Sequence, residues 1–418
     1  MKVNLSLRNI VLIWLGWALV MLSFQHWIGA RLDLVRPDHA LFWTPAETTA
    51  GSQDGKPYLN DPFLNEHVAW DSEFYLSIAA LGYNDPAVRG VPADFKWGFR
   101  QQPCIPGANA DCTALNYAFF PVYPWLTRVL ALPLQLFQMT PIARATLAAV
   151  SISLLGALGA MLALYSMTRG SLGEEGGVRA AFYLLIFPSG FFLAQVYTEG
   201  LFIGLTFGAL AFLRARKWGW AALLAALAAW TRPGGALLLL PMIMVWVNDK
   251  AWQGDWKSVL GRGLAALSPA LSYGLWSLTP LAEGFFLVEK LYFSRRLLAI
   301  DQSLAAWNQA LMAFTMDNPQ AKFYCALEFA AVLLGFITCI LLFKRSPEIS
   351  IFGLAMIVFA FTSGAAQGMV RYVLAAPPLF WVLADWGRRP AFDRVWSLAS
   401  ILLMGMQAML FSFDFWVA

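Results

Sequence analysis

One polar segment near the N-terminus carries the side chains best suited to chemistry, in the run His67-Val68-Ala69-Trp70-Asp71-Ser72-Glu73-Phe74-Tyr75. The ordinary interpretation of Asp71 is an acid at a helix start in a surface loop. Trp70 and the pair Phe74-Tyr75 instead favour a short helix docked at a membrane interface. Burial at such a boundary makes a carboxylate more basic, because it disfavours the charged form. Asp71 is therefore the candidate base, with Glu73 as the alternative.

Arg232 lies at a break between two apolar segments and is followed by Pro233-Gly234-Gly235. Such a break is expected to leave backbone N–H groups free, and beside a guanidinium these form an anion site. The alternative is an arginine that reaches from the end of a helix to the interface.

Arg371, followed by Tyr372, is a second arginine in a short turn between apolar segments. It requires an anionic partner, for which Glu199, Asp71 and a ligand phosphate are the candidates. Glu199 ends the turn Tyr197-Thr198-Glu199 between two apolar segments. A carboxylate there is costly, which favours a specific partner for it as well.

The composition is that of an integral membrane protein. Of the 418 residues, 59% are hydrophobic and 13% are charged, whereas soluble domains carry roughly 25% charged residues. The net charge of +4 is small and the chain has no basic tract, so nucleic acid is not an expected partner.

The apolar segments predict a single all-α transmembrane domain over residues 1–418, with about eleven membrane-spanning helices. The segment 9–29 is long for a signal peptide, the alternative, and is taken as the first span. The other spans are predicted at 142–167, 178–195, 197–213, 218–230, 234–248, 263–282, 326–343, 350–366, 370–386 and 395–416. Two long loops remain, 30–141 with short helices around Asn65 to Leu81, and 283–325. Within the first loop, the proline-rich segment 119–137 is expected to be interfacial or re-entrant.

The distribution of Lys and Arg predicts the orientation of these spans. With the N-terminus inside, the inside connections are rich in Lys and Arg, whereas the short outside turns carry only Arg232 and Arg371. Both long loops, Glu199 and the two arginine turns then face the extracytoplasmic side. This convergence predicts one functional site there.

The cysteines and the metal-binding residue types limit the remaining chemistry. Cys104 and Cys112 frame a Pro-Gly turn and could form a disulfide in an oxidising compartment, with metal ligation as the weaker alternative. Cys325 and Cys339 are expected to be inert core residues. The sequence shows no cluster with metal-ligand spacing and no nucleotide-binding glycine fingerprint, so it indicates no cofactor. A divalent metal has no support in the residues. His67 is either a solvated loop residue or part of the site.

Several blocks together resemble the PIG-V family, the second mannosyltransferase of glycosylphosphatidylinositol synthesis and its bacterial relatives. The blocks occur in the same order, between about residues 67 and 380. They are the His67 to Tyr75 run with Gly82-Tyr83, Asn116-Tyr117-Ala118-Phe119-Phe120-Pro121-Val122-Tyr123-Pro124, Phe187-Pro188-Ser189 into Tyr197-Thr198-Glu199, Ala228-Ala229-Trp230-Thr231-Arg232-Pro233-Gly234, and Arg371-Tyr372 with Pro377-Pro378. In the loop 283–325, the run Tyr292 to Arg296 and the pair Asp301-Gln302 depart from the family pattern. The resemblance therefore does not extend to the residues that would recognise the acceptor.

The resemblance implies a GT-C-type glycosyltransferase with a polyprenyl- or dolichyl-phosphate mannose donor. It favours inversion to an α-linked product and a glycolipid or other acceptor. The acid of its Trp-Asp motif falls on Asp71, with donor phosphate on Arg232, Arg371 and Tyr372. Arg295 or Arg296 is a further candidate cation. The substrate-binding candidates are His67, Trp70, Glu73, Tyr75, Asn116, Tyr123, Tyr197 and Glu199. A prokaryotic plasma membrane is favoured over the endoplasmic reticulum. A transporter or flippase of a lipid-linked sugar is the alternative, although the chain shows no paired repeat.

Overall fold

The computed structural model describes residues 5–32, 41, 44, 51, 53–94, 104–106 and 111–417. The described part is mostly helical, as predicted. Its α-helices, in chain order, are α1 (Leu5–Arg31), α2 (Ser72–Ala80), α3 (Val122–Ala131), α4 (Pro141–Ile186), α5 (Glu199–Arg214), α6 (Trp218–Ala229), α7 (Leu239–Asn248), α8 (Trp256–Ser277), α9 (Pro280–Val288), α10 (Ile300–Met312), α11 (Pro319–Phe343), α12 (Pro347–Phe361), α13 (Met369–Tyr372), α14 (Pro377–Trp386) and α15 (Pro390–Ser412).

Four of these helices, α1, α4, α11 and α15, are long and apolar enough to cross a membrane. The chain is therefore an integral membrane protein. Three further apolar helices, α6, Pro233–Asn248 and α12, are shorter than the roughly 20 residues that a bilayer core requires. The predicted count of about eleven spanning helices is not confirmed.

Two predicted spans differ from the structure because prolines break them. Gly173 has a non-helical backbone (φ 77°) that divides α4 into two helical parts, and the span predicted at 178–195 begins in the second part. Helix α4 stops before Pro188, and Gly190–Ala194 forms a 3-10 helix. The span predicted at 370–386 is divided into α13, a 3-10 turn and α14. Proline lacks the N–H that a continuous helix needs and disfavours helical geometry in the residue before it.

Glycines bring α4 and α5 together. A Cβ atom on Gly204 of α5 would lie only 2.5 Å from the carbonyl oxygen of Gly156 on α4. Small residues one helical turn apart allow such close backbone approach, and Gly200 and Gly204 have that spacing. The close packing fixes the first turn of α5, which begins with Glu199.

The first long loop is ordered by short elements. Helix α2 is almost entirely buried, and strands β1 (Gly90–Pro92) and β2 (Cys112–Ala114) pair antiparallel with Gly90 opposite Ala114. Cys104 and Cys112 are disulfide-bonded, with their Cα atoms 5.8 Å apart, while Gly107 between them lies outside the described residues. Cys325 and Cys339 are buried free thiols, as expected.

The segment 119–137 contains α3 and the 3-10 helix Pro133–Leu136. Ten residues are too few to span the roughly 30 Å core of a bilayer. The segment exposes several large apolar side chains, among them Val129, Leu136 and Phe137. This geometry suits an interfacial position, as the prolines indicated. The second long loop, 283–325, contains the end of α9, the π-helical turn Glu289–Phe293 and α10.

Candidate active site

Four charged side chains from four segments of the sequence are joined in a row by ion pairs, the ion-pair chain Asp71–Arg371–Glu199–Arg232. Arg371 Nη1 lies 3.3 Å from Asp71 Oδ2, and Arg371 Nε lies 3.2 Å from Glu199 Oε1. Arg232 binds the same oxygen of Glu199. Glu199 and Arg371 are 1% and 6% exposed, whereas the Asp71 side chain is 24% exposed. Asp71 is therefore the carboxylate of this group that an approaching substrate reaches most readily.

Asp71 immediately precedes α2 and is held against the segment before α5. Its backbone N–H donates to the hydroxyl of Tyr197 at 3.2 Å. The hydroxyl of Ser72 donates to the carbonyl oxygen of Val196, and the N–H of Val196 donates to the carbonyl of His67. These bonds join two segments about 125 residues apart in sequence. They fix the backbone that carries the candidate base.

Trp70 takes a left-handed backbone conformation with φ 52°. This region is sparsely populated for residues other than glycine, and it persists where the surrounding structure imposes it. The Trp70 ring packs edge-on against Trp416 after α15, with centroids 5.2 Å apart. The tight turn before α2 directs Asp71 towards the arginines.

The structure separates Asp71 from Glu73. Glu73 is buried, and its charged neighbours are Lys56, Arg89 and Asp85 rather than the two arginines. Burial raises the pKa of the Glu73 carboxyl above its ordinary value. Of the two acids weighed from the sequence, Asp71 contacts the arginine cluster.

The surroundings of Arg232 differ in one respect from the expected anion site with free backbone N–H groups. Residues Pro233–Leu238 form a 3-10 helix, and the N–H of Gly235 donates to the carbonyl of Arg232 at 2.9 Å. The Gly235 N–H is therefore not free to bind an anion, because it already donates to a backbone carbonyl. The Arg232 guanidinium reaches Glu199 and lies over the rings of Phe202 and Tyr372 at 5.7 and 5.8 Å.

Tyr372 lies among three guanidinium groups. Those of Arg371, Arg295 and Arg232 are 5.3, 5.5 and 5.8 Å from its ring centroid. Arg295 Nη1 also donates to the Tyr372 hydroxyl at 2.9 Å. Of the two arginines considered in the 283–325 loop, Arg295 reaches the site, whereas Arg296 is half-exposed near Asp301. Such a cluster concentrates positive charge where an anion could bind.

Two predicted substrate-binding tyrosines pack beside the base. The Tyr75 ring lies 5.2 Å from Tyr123 and 6.2 Å from Tyr197. Tyr123 is fully buried, and its hydroxyl contacts the carbonyl of Ala149 and the hydroxyl of Ser153. Asn116 is fully buried too and donates to Ser77 and to loop carbonyls. The structure thus brings Tyr75 and Tyr197 close to Asp71 and gives Tyr123 and Asn116 contacts that stabilise the loop.

Sequence reasoning missed two acids near this cluster. Glu328 of α11 binds the turn before Arg371. Glu289, in the π-helical turn, has Arg295 and Asp71 as charged neighbours, and burial raises the pKa of its carboxyl to about 7. Neither acid lies in a recognisable motif, so only their three-dimensional neighbours could reveal them. Among the residues that the structure describes, no group of three or more His, Cys, Asp or Glu could hold a metal ion.

His67 is part of a buried polar network rather than a solvated loop residue. Its Nδ1 lies 3.1 Å from the carbonyl of Ala194 and 3.2 Å from Oε1 of Gln195. Gln195 in turn donates to Gln25 of α1. The network joins the first helix, the segment before α5 and the loop that carries Asp71.

This burial predicts a pH-dependent stability. Burial lowers the pKa of His67 to about 4, whereas an unfolded histidine titrates near about 6.5. The unfolded chain therefore binds a proton first, and stability falls as the pH drops from about 6.5 towards 4, by roughly 3 kcal/mol at most. The thermal unfolding midpoint in detergent should fall over this range and should fall less for His67→Gln.

The matched control is His26→Gln, since the His26 side chain is 75% exposed. That variant should keep most of the pH dependence of the wild-type protein, because the buried imidazole of His67 remains in place. An equal decrease of the unfolding midpoint in wild-type and His67→Gln protein would contradict the role given to buried His67.

Comparison with known proteins bears on what this arrangement does. The chain is 30% identical over 225 residues to GPI alpha-1,6-mannosyltransferase 2 of the mouse. The resemblance predicted from the motifs is confirmed. The match covers 51% of this chain and 38% of the mouse protein, so the chain spans about two fifths of that relative's length. No protein-family model matches the chain.

Solved structures give distant likenesses. ArnT from Cupriavidus metallidurans bound to undecaprenyl phosphate is 15% identical, with a TM-score of 0.48 over 97% of this chain and 76% of its own. The oligosaccharyltransferase of Archaeoglobus fulgidus in complex with Zn and sulfate is 14% identical, with a TM-score of 0.47 over 97% of this chain and 53% of its own.

Proposed function

We propose that this chain is a membrane glycosyltransferase of the GT-C type that transfers mannose from polyprenyl- or dolichyl-phosphate mannose to a glycolipid or other acceptor. The observation that carries the proposal is the ion-pair chain from Asp71 through Arg371 and Glu199 to Arg232, in which the carboxylate nearest the surface contacts a buried guanidinium. The similarity to a mouse alpha-1,6-mannosyltransferase supports mannose as the sugar and an α-linked product.

In the proposed reaction, Asp71 accepts the proton of an acceptor hydroxyl as its oxygen attacks the anomeric carbon. The new carbon–oxygen bond replaces the bond to the donor phosphate, and the electron pair of that bond stays on the phosphate oxygen. The leaving group is a stable anion, so it requires cations rather than a general acid. Oxygen Oε1 of Glu199 is engaged by two arginines. Of the two carboxylates in the ion-pair chain, Asp71 is the more exposed, and one reachable carboxylate in this pair suits inversion, since a retaining route normally uses a second, nearby one.

The donor phosphate would bind at the guanidinium cluster around Tyr372. Arg371 and Arg232 are largely balanced by Asp71 and Glu199, and Arg295 adds a third positive charge through its bond to Tyr372. Guanidinium groups suit phosphate oxygens because they donate two parallel hydrogen bonds. The polyprenyl chain would lie along the apolar helices.

We place this site on the extracytoplasmic side of the membrane, in a prokaryotic plasma membrane. The distribution of Lys and Arg supports this orientation. The Cys104–Cys112 disulfide supports it too, because it lies in the same loop as Asp71 and disulfides persist in oxidising compartments.

The role of Arg232 leads to a prediction about donor binding. Arg232→Met should weaken the binding of polyprenyl-phosphate mannose by about 10- to 100-fold, as expected from the loss of a charge-assisted hydrogen bond. The dissociation constant of the purified protein for the donor measures this. Arg216→Met is the matched control, since Arg216 is half-exposed and pairs with Asp249. Equal donor affinity in wild-type and Arg232→Met protein would rule out the phosphate role.

The function itself is tested with purified protein and polyprenyl-phosphate mannose. Free polyprenyl phosphate should accumulate when a lipid extract supplies the acceptor and should stay low without it. Formation of polyprenyl phosphate independently of any acceptor would indicate simple hydrolysis, which contradicts a transferase.

A further inference from the structure

Helix α11, one of the four candidate spans, contains a fully buried carboxylate, Glu328. An acid at membrane depth is costly and persists only where it has partners. Both of its oxygens have one. The N–H of Gly368 donates to Oε1 at 2.7 Å, and the N–H of Val370 donates to Oε2 at 2.8 Å.

These two N–H groups begin the short helix that presents Arg371. Gly368 has φ 85°, which a side chain would disfavour. Its carbonyl accepts the N–H groups of Arg371 and Tyr372 at 3.1 and 3.0 Å. On the other side, the hydroxyl of Ser189 donates to the carbonyl of Val370 at 2.7 Å. The orientation of the Arg371 side chain therefore follows from that of the Gly368–Val370 turn.

A second set of contacts leads from α11 to the residue before Asp71. Tyr324, one helical turn before Glu328, accepts from the N–H of Gly368 and from the indole of Trp416, both at 3.1 Å. Trp416 packs against Trp70. The region around Glu328 therefore contacts the turn that carries Arg371 and also, through Trp416, the residue before Asp71.

We propose that Glu328 is a positioning residue that, through the Gly368–Val370 turn, sets Arg371 against Asp71 in the sugar-transfer reaction. This inference rests on the proposed function. The carboxylate offers one acceptor oxygen to each N–H group, and the Tyr324 hydroxyl is a second acceptor for Gly368 alone. In Glu328→Gln, one oxygen is replaced by an amide NH₂, which is itself a donor and would face another donor. The turn would shift and take Arg371 with it.

The test compares Glu328→Gln and Glu328→Asp with Glu348→Gln, a matched control. Glu348, on the neighbouring helix α12, pairs with Arg214 at 2.8 Å. Glu328→Gln should lower kcat of sugar transfer by about 10²-fold, since a misplacement of about 1 Å has that effect. The KM for the donor should change much less. Glu328→Asp should recover part of the loss because it retains both acceptors, and the control should resemble wild-type protein.

Hydrogen exchange of the peptide 366–372 gives a readout that does not depend on activity. Exchange should be about tenfold faster in Glu328→Gln, because one of the two N–H groups, of Gly368 or Val370, loses its carboxylate partner, and unchanged in Glu348→Gln. A Glu328→Gln protein with wild-type kcat, or with wild-type exchange, would overturn the proposal. Equal losses of kcat in both Gln variants would do so too.

If Glu328→Gln does not fold, Glu328→Asp and Glu328→Ala decide the question. Wild-type kcat and exchange in Glu328→Asp, together with a loss of kcat and faster exchange in Glu328→Ala, would support the proposal. Any other result for this pair of variants would contradict it. If wild-type protein transfers no sugar, the proposed function fails, and the exchange measurement alone decides whether Glu328 holds the turn.

Discussion

Asp71→Asn should lower kcat of sugar transfer by about 10²- to 10⁴-fold, the range that a general base contributes. The amide keeps the shape of the side chain but cannot accept the acceptor's proton at neutral pH. The side chain is partly exposed, so the thermal unfolding midpoint should stay close to that of wild-type protein. Initial rates with saturating donor, together with a thermal melt, measure both quantities.

Glu73→Gln is the control for this variant. Glu73 lies two residues away but has Lys56 and Arg89 as charged neighbours rather than the arginines of the site, and glutamine keeps the size and shape of its side chain. Its kcat should stay near the wild-type value. A Glu73→Gln protein that is inactive beside a fully active Asp71→Asn protein would reverse the assignment of the base.

Arg371→Met should lower both stability and transfer. Arg371 contacts both Asp71 and Glu199, and among the described residues its removal leaves nearly buried Glu199 paired with Arg232. Because Glu199 keeps Arg232, the loss is that of hydrogen bonds to charged groups, which cost about 1.5–3 kcal/mol each. Arg371→Lys should rescue little, since a single ammonium group cannot contact both carboxylates with the spacing of a guanidinium. Unfolding midpoints and initial rates of both variants test this.

The comparison variant is Arg345→Met, because the Arg345 side chain is 63% exposed and pairs with Asp385. Its removal should cost less than about 1 kcal/mol. Similar losses of stability for Arg345→Met and Arg371→Met would show that Arg371 has no special structural role.

The sequence alone indicated much of the site's composition. Glu199, Arg232 and Arg371 stood out because charged side chains are rare and costly among apolar segments, whereas Asp71 stood out by its aromatic neighbours in a polar loop. The structure places all four in one ion-pair chain. Their roles in catalysis stay predictions. That the chain is an integral membrane protein could be predicted from composition, because a chain that lies mostly in lipid carries many apolar and few charged residues.

Other features could not be predicted because they depend on contacts distant in sequence. Glu328 receives its hydrogen bonds from residues about 40 positions away, and no local pattern marks it. His67 has no local sign of burial, since Ala194 and Gln195 approach it from another part of the chain. The predicted spans at 178–195 and 370–386 were wrong in detail because hydropathy averages over a window and does not register the helix breaks beside Pro188 and Pro377.

If this chain forms a new glycosidic bond, a labelled sugar must move from the donor to another molecule. Wild-type protein in liposomes receives radiolabelled polyprenyl-phosphate mannose and an acceptor lipid extract, and the labelled products are separated by chain length and by resistance to mild acid. Wild-type protein should place the label in a new, acid-stable product, and Asp71→Asn protein should not. Label that stays on the polyprenyl phosphate and only changes leaflet would indicate a transporter rather than a transferase.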